Sequence, residues 1–130
     1  MAKKSTNQPP REPLRLIVPR TEAAEKIEAR IGRGTELHQR EISNQEALEQ
    51  AKRDYKKWND YNAEMLRQIF NTSEVADEYT YYGAGVFVVG REVYLSEEIR
   101  DFREDVQGKL TRLESILDRL ELIPLASRRA

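Results

Sequence analysis

Glu74, Asp77 and Glu78 lie close enough in the chain to suggest acid–base work or a hard-cation site. Asp77 and Glu78 are adjacent, however, and on a helix adjacent side chains point about 100° apart. Acids also belong in a first helical turn without any catalytic duty, because the helix dipole favours negative charge there. Glu97, Glu98, Asp101, Glu104 and Asp105 have the same explanation at the head of a later helix. Neither cluster has a partner nucleophile. The run GAGVFVVG at 83–90 invites a phosphate-loop reading. Its spacing fits neither the dinucleotide fingerprint nor the Walker loop, and it lacks the lysine of the latter. A hairpin with glycine turns is the simpler account. Tyr55, Trp58, Tyr61, Tyr79, Tyr81 and Tyr82 are interleaved with basic residues, as in surfaces that stack on bases. Tyr55 and Trp58 recur with Asn62 at helical spacing, which makes them core-facing. Tyr81 and Tyr82 cannot both face inward on an extended segment, so one of them is a candidate partner contact.

Composition narrows the chemistry further. The 130 residues carry a formal charge of −1, which argues against general nucleic-acid binding. Without cysteine there is no disulfide framework and no thiolate chemistry. The single His38 reads as a half-buried spacer and cannot build a multi-histidine metal site. Lys52, Arg53, Lys56 and Lys57 form a small basic cluster interrupted by Asp54 and Asp60, as expected of a solvated face. No cofactor is expected. Lys3 and Lys4 precede polar residues and prolines, so no signal peptide is read, and no stretch approaches the roughly 20 apolar residues that span a bilayer. The expectation is a soluble, cytoplasmic protein.

The elements follow from periodicity. Residues 1–19 read as a flexible arm that ends in a short extended segment, Leu14–Val18, bracketed by prolines. Thr21 is the expected N-cap of a first helix with Ala24, Ile27 and Ile31 on its buried stripe; Gly32 and Gly34 weaken it but do not end it before about Glu41. Ser43 with Glu46 reads as a capping box. From there Leu48, Ala51, Tyr55, Trp58, Asn62, Met65 and Ile69 step by threes and fours over about 27 residues, on the order of 40 Å of helix. Tyr61, Leu66 and Phe70 widen that seam to the face of a globular bundle. A buried Asn62 needs a partner and could fix register; its replacement by leucine is expected to raise stability. A short helix around Val75, Ala76 and Tyr79 follows, then two short strands near 85–95. Ser96 caps the last helix, from Glu97 to about Leu122, which Pro124 ends.

The strings YKKWNDYNAEMLRQIFNTSEVADEY, GVFVVG and EEIRDFREDVQGKLTRLESILDRLELIP resemble the helical region that precedes the effector domain in certain bacterial TIR-like nucleotide-binding proteins. The resemblance runs from about Pro19 to Pro124. It implies a link to antiphage defence, in which the TIR-like domain binds or cleaves a nucleotide. No Rossmann-like βαβ pattern follows, so no catalytic residue carries over, and what the resemblance implies here is an accessory role in oligomerisation, sensing or effector docking.

The fold expected is mainly α: a helical bundle of three longer helices and one short one, with a small β-hairpin, occupying 20–124 and followed by a disordered tail at 125–130. The two helices at Asn44–Phe70 and Glu97–Leu122 are expected to pack antiparallel. The function expected is a non-enzymatic interaction or oligomerisation module with a protein partner or a second copy, without membrane or nucleic acid. The alternative is nucleotide or cyclic-nucleotide sensing. The interface or core-seam candidates are Tyr55, Trp58, Tyr61, Asn62, Phe70, Tyr81 and Tyr82.

Overall fold

The computed structural model describes residues 12–81 and 94–126. The expected hairpin and Tyr82 lie outside them. Four helices are present among the described residues: α1 (Arg20–Gln39), α2 (Gln45–Ile69), α3 (Glu74–Tyr81) and α4 (Leu95–Arg119), with a 3-10 turn over Leu120–Leu122.

α1 runs through both glycines, as its flanking helix formers suggest, but it starts one residue before the expected Thr21 cap, with Pro19 at the N-cap. Proline is suited to that boundary because an N–H there has no intrahelical partner to lose. α2 is capped by Asn44, whose side-chain oxygen accepts from Ala47 N–H at 2.7 Å, in place of Ser43. Asn and Ser cap about equally well, so one position of register decided between them. α4 begins at Leu95 rather than after Ser96, and the Glu97 carboxylate accepts from the Tyr94 backbone N–H at 3.2 Å.

The helix order is up, down, up, down. Arg20 bonds to the carbonyls of Leu120 and Ile123, whereas Arg103 donates to the carbonyl of Arg40, so α1 and α4 are antiparallel. Arg30 meets Asn62 and Arg40 meets Asp54, so α1 and α2 are antiparallel as well. Tyr79 reaches back to Asn59 and Asn62, which turns α3 along α2. α2 and α4 are therefore parallel, which corrects the expected antiparallel pairing. Gln45 meets Glu98 at their N-terminal ends, Tyr55 meets Phe102, and Phe70 and Leu125 flank Leu16 at the other end. The connection between the two helices is long enough for this: α3 turns back along α2, and α4 starts at Leu95, at the end where α2 began.

Leu16, within the extended segment, is fully buried and bridges Phe70 on one side and Leu125 on the other. Its N–H donates to Pro124 O at 2.8 Å, and its carbonyl accepts from Ala126 N–H at 2.6 Å. Ile17 N–H donates to Ile69 O at 3.0 Å, closing the end of α2. The other helix C-termini are closed by cations from neighbouring helices. Arg20 serves the 3-10 turn after α4, Arg103 serves α1, and Lys109 Nζ donates to Tyr79 O at 2.7 Å and Thr80 O at 3.2 Å at the end of α3. Each satisfies orphan carbonyls and opposes the negative pole of a helix.

Gly34 has a packing reason. A Cβ there would collide with the Trp58 ring and lie 2.6 Å from Leu110 Cδ2. The indole fits against α1 only because that side chain is missing.

Candidate functional site

Between α1 and α2 runs an open groove of about 410 Å³, lined by Arg30, Arg33, Glu36 and Leu37 from α1, its C-cap residue Arg40, and Asp54, Lys57, Trp58 and Tyr61 from α2. Both walls follow from helical spacing. Residues 30, 33 and 37 form one stripe of α1, with Arg40 just past its end, and 54, 57, 58 and 61 form one stripe of α2.

Beneath the groove lies a chain of polar groups. Asn62 is wholly buried, and its Nδ2 donates to the Tyr79 hydroxyl at 2.9 Å. That hydroxyl donates in turn to Asn59 Oδ1 at 2.7 Å. The Asn62 oxygen is thereby left for α1, where it accepts from Arg30 Nε at 2.8 Å. The Arg30 guanidinium also lies over the Tyr61 ring at 4.1 Å. Trp58 is 4% exposed, and its Nε1 donates to Arg30 O at 2.9 Å. Arg30 is thus held at its backbone, its Nε and its flat face. Burial pulls its guanidinium below its ordinary value, against the raising effect of Tyr61.

Among the described residues, one of the two groove carboxylates is neutralised. Asp54 accepts from Arg40 Nη1 at 2.7 Å, and that bond holds its carboxyl below the usual range. A carboxylate so held is a poor proton acceptor at neutral pH. Arg33, Glu36 and Lys57 make no ion pair among the described residues. The groove therefore offers donors and rings suited to binding.

The other candidates fall into two groups. Tyr55 is half-buried, tilted against Trp58 and edge-on to Phe102, both at 5.9 Å between ring centres. Burial raises its phenol to about 12, with Asp105 adding to the effect. Tyr79 is likewise pushed up by burial, against the hydrogen bond from Asn62. Phe70 is buried where α2 ends. Tyr55, Trp58, Asn62 and Phe70 are thus seam residues. Tyr61 is not part of the apolar face expected of it: it is 57% exposed, one position outside the buried stripe, and serves as a platform for Arg30. Tyr81 is 76% exposed and belongs to no cluster with the groove.

The acids of α3 divide. Asp77 accepts from Ser73 Oγ at 2.9 Å in the first turn, whereas Glu78 bridges to Arg112 at 3.0 Å and Arg119 at 3.2 Å on α4. Its role is interhelical, beyond the dipole role expected of it. Among the described residues no group of three or more His, Cys, Asp or Glu could hold a metal ion. No helix among them is long and apolar enough to cross a membrane. Of the basic cluster on α2, only Lys57 lines the groove, while Lys56 pairs with Asp60 at 3.0 Å. Arg30, Arg33 and Arg40 were not singled out by sequence, although their recurrence along α1 was a legible signal.

No family model, curated protein or solved structure matches the chain.

Proposed function

We propose that the chain is a non-enzymatic interaction or oligomerisation module, an accessory or regulatory partner of a bacterial TIR-like effector. One observation carries the binding part of this reading: a buried asparagine is spent on holding an arginine at an open groove whose Asp54 is already committed to Arg40. Such an arrangement suits recognition, because a fixed guanidinium loses little freedom when a ligand arrives. The link to a TIR-like effector rests on the sequence resemblance alone. Crosslinking in the native cell, then reconstitution with the separately purified captured protein, tests the reading. A stoichiometric complex in sedimentation supports it. A strict monomer at high concentration that forms no complex refutes it.

Nucleotide or cyclic-nucleotide sensing is the second reading, favoured by Arg30, Arg33 and Lys57 standing beside the exposed Tyr61 ring. Cations and a stacking face are what phosphates and bases use. Calorimetry against a nucleotide panel separates the two, and absence of heat removes the second.

A further inference from the structure

We infer that the α1–α2 groove is the docking site for an acidic segment of a protein partner, with a partner carboxylate seated on the free end of the Arg30 guanidinium. This rests on the interaction-module reading and names the chemistry of what it binds.

The geometry starts from Asn62. Tyr79 has one hydroxyl proton and gives it to Asn59, so it must accept from Asn62 Nδ2. The Asn62 oxygen is then fixed toward Arg30 Nε, at 2.8 Å. Arg30 keeps its two terminal nitrogens, and neither donates to a protein acceptor among the described residues. Their paired N–H groups match the spacing of a carboxylate in a bidentate bond. Arg33 stands one turn on along α1, and Lys57 stands on the facing wall, each without an ion pair among the described residues. The lining has four cations and two carboxylates, a balance of +2.

The arrangement of that charge favours a polypeptide over a phosphate ligand. From Arg30 to Arg40 the groove wall runs about 15 Å, with Glu36, which makes no ion pair among the described residues, standing between the cations. A compact polyanion filling the groove would meet Glu36 at close range. A peptide with spaced carboxylates sets them at Arg30, Arg33 and Lys57 and passes Glu36 with a neutral or basic residue. The groove is also open along its length, unlike the enclosed sites that bury most of a small ligand. Tyr61, half of it exposed beside Arg30, supplies the ring that peptide interfaces use as an anchor.

The test uses the full chain, labelled with 15N. The Trp58 indole N–H and the Arg30 Nε–H, both hydrogen-bonded, serve as the reporters. A glutamate-rich peptide is titrated beside its glutamine counterpart, with ATP and inorganic pyrophosphate as separate arms. Both reporters should move with the glutamate peptide alone, and the effect should weaken with added salt. Arg33→Glu and Lys57→Glu, at exposed positions, should each weaken it about tenfold or more with melting unchanged. Arg30→Lys keeps the charge but not the fork, and should weaken it as well. Reporters that stay still with the glutamate peptide, or shifts that survive both charge reversals, overturn the inference. Saturation by ATP or pyrophosphate with no response to peptide also overturns it, in favour of a phosphate site. A captured partner that binds Arg33→Glu and wild type equally leaves the interaction reading standing and refutes only this groove.

Discussion

Gly32 and Gly34 lie on the same helix two residues apart, and the structure assigns opposite signs to the same substitution at each. Alanine in place of either glycine should gain about 1 kcal/mol of helix propensity. At Gly32 nothing lies within 4 Å of the added Cβ, so the gain is kept in full. At Gly34 the Cβ would strike the Trp58 ring and stand 2.6 Å from Leu110 Cδ2. Neither neighbour yields easily: Trp58 is tied to Arg30 O, and Leu110 is buried. Overpacking of this kind costs about 1–3 kcal/mol, and contact with two core side chains argues for the upper end. Gly34→Ala should therefore lose about 2 kcal/mol net, and the two variants should differ by about 3 kcal/mol. At about 4 °C per kcal/mol the melting points should lie about 12 °C apart. Urea unfolding followed by circular dichroism gives the stabilities. The emission of the single tryptophan should shift to the red only in Gly34→Ala, as the indole leaves its seat. A Gly34→Ala protein as stable as Gly32→Ala would refute the packing argument.

Asn62→Leu should lower stability by about 1–3 kcal/mol, because Arg30 Nε and the Tyr79 hydroxyl each lose a buried partner. This reverses the gain expected from sequence, and equilibrium unfolding decides the sign. Alkaline unfolding should be governed in part by Tyr55. Its phenol titrates near 10 when unfolded and at about 12 when folded, so stability is whole below pH 10 and falls as pH rises toward 12. Two pKa units correspond to about 3 kcal/mol as an upper bound, reduced by solvent screening at this half-buried ring, and Tyr55→Phe should flatten that slope in denaturant midpoints taken across the range. The Asp105 carboxyl is raised by burial and by Asp101 and Glu104, so ionising it costs more in the folded chain than in the unfolded one. Asp105→Asn should melt higher than wild type at pH 7, and the advantage should vanish below the unfolded carboxylate pKa, near 4.

The seam of α2 was legible because burial on a helix repeats every three to four residues, and Leu48, Ala51, Trp58, Asn62, Met65 and Ile69 all proved buried. The long helices at either end of the chain, and the short one between, were legible for the same reason. The need of Asn62 for a partner was legible too, since no buried amide goes unbonded without cost. Its partners were not, because Arg30 and Tyr79 stand 32 and 17 residues away. The caps divide in the same way. Asn44 caps from within its own turn, a local event that was misplaced by one residue. Arg20, Arg103 and Lys109 close helices 100, 63 and 30 residues away, and nothing in their neighbourhood announces it.

Periodicity, composition and turn chemistry are local properties, so the chain alone specified a mainly helical bundle, its central seam and the absence of thiol chemistry. Direction and proximity are not local. That α2 and α4 run parallel, that Gly34 makes room for an indole, and that Tyr61 turns outward to carry Arg30 over a groove all depend on which helix lies beside which. Only packing brings such distant residues together.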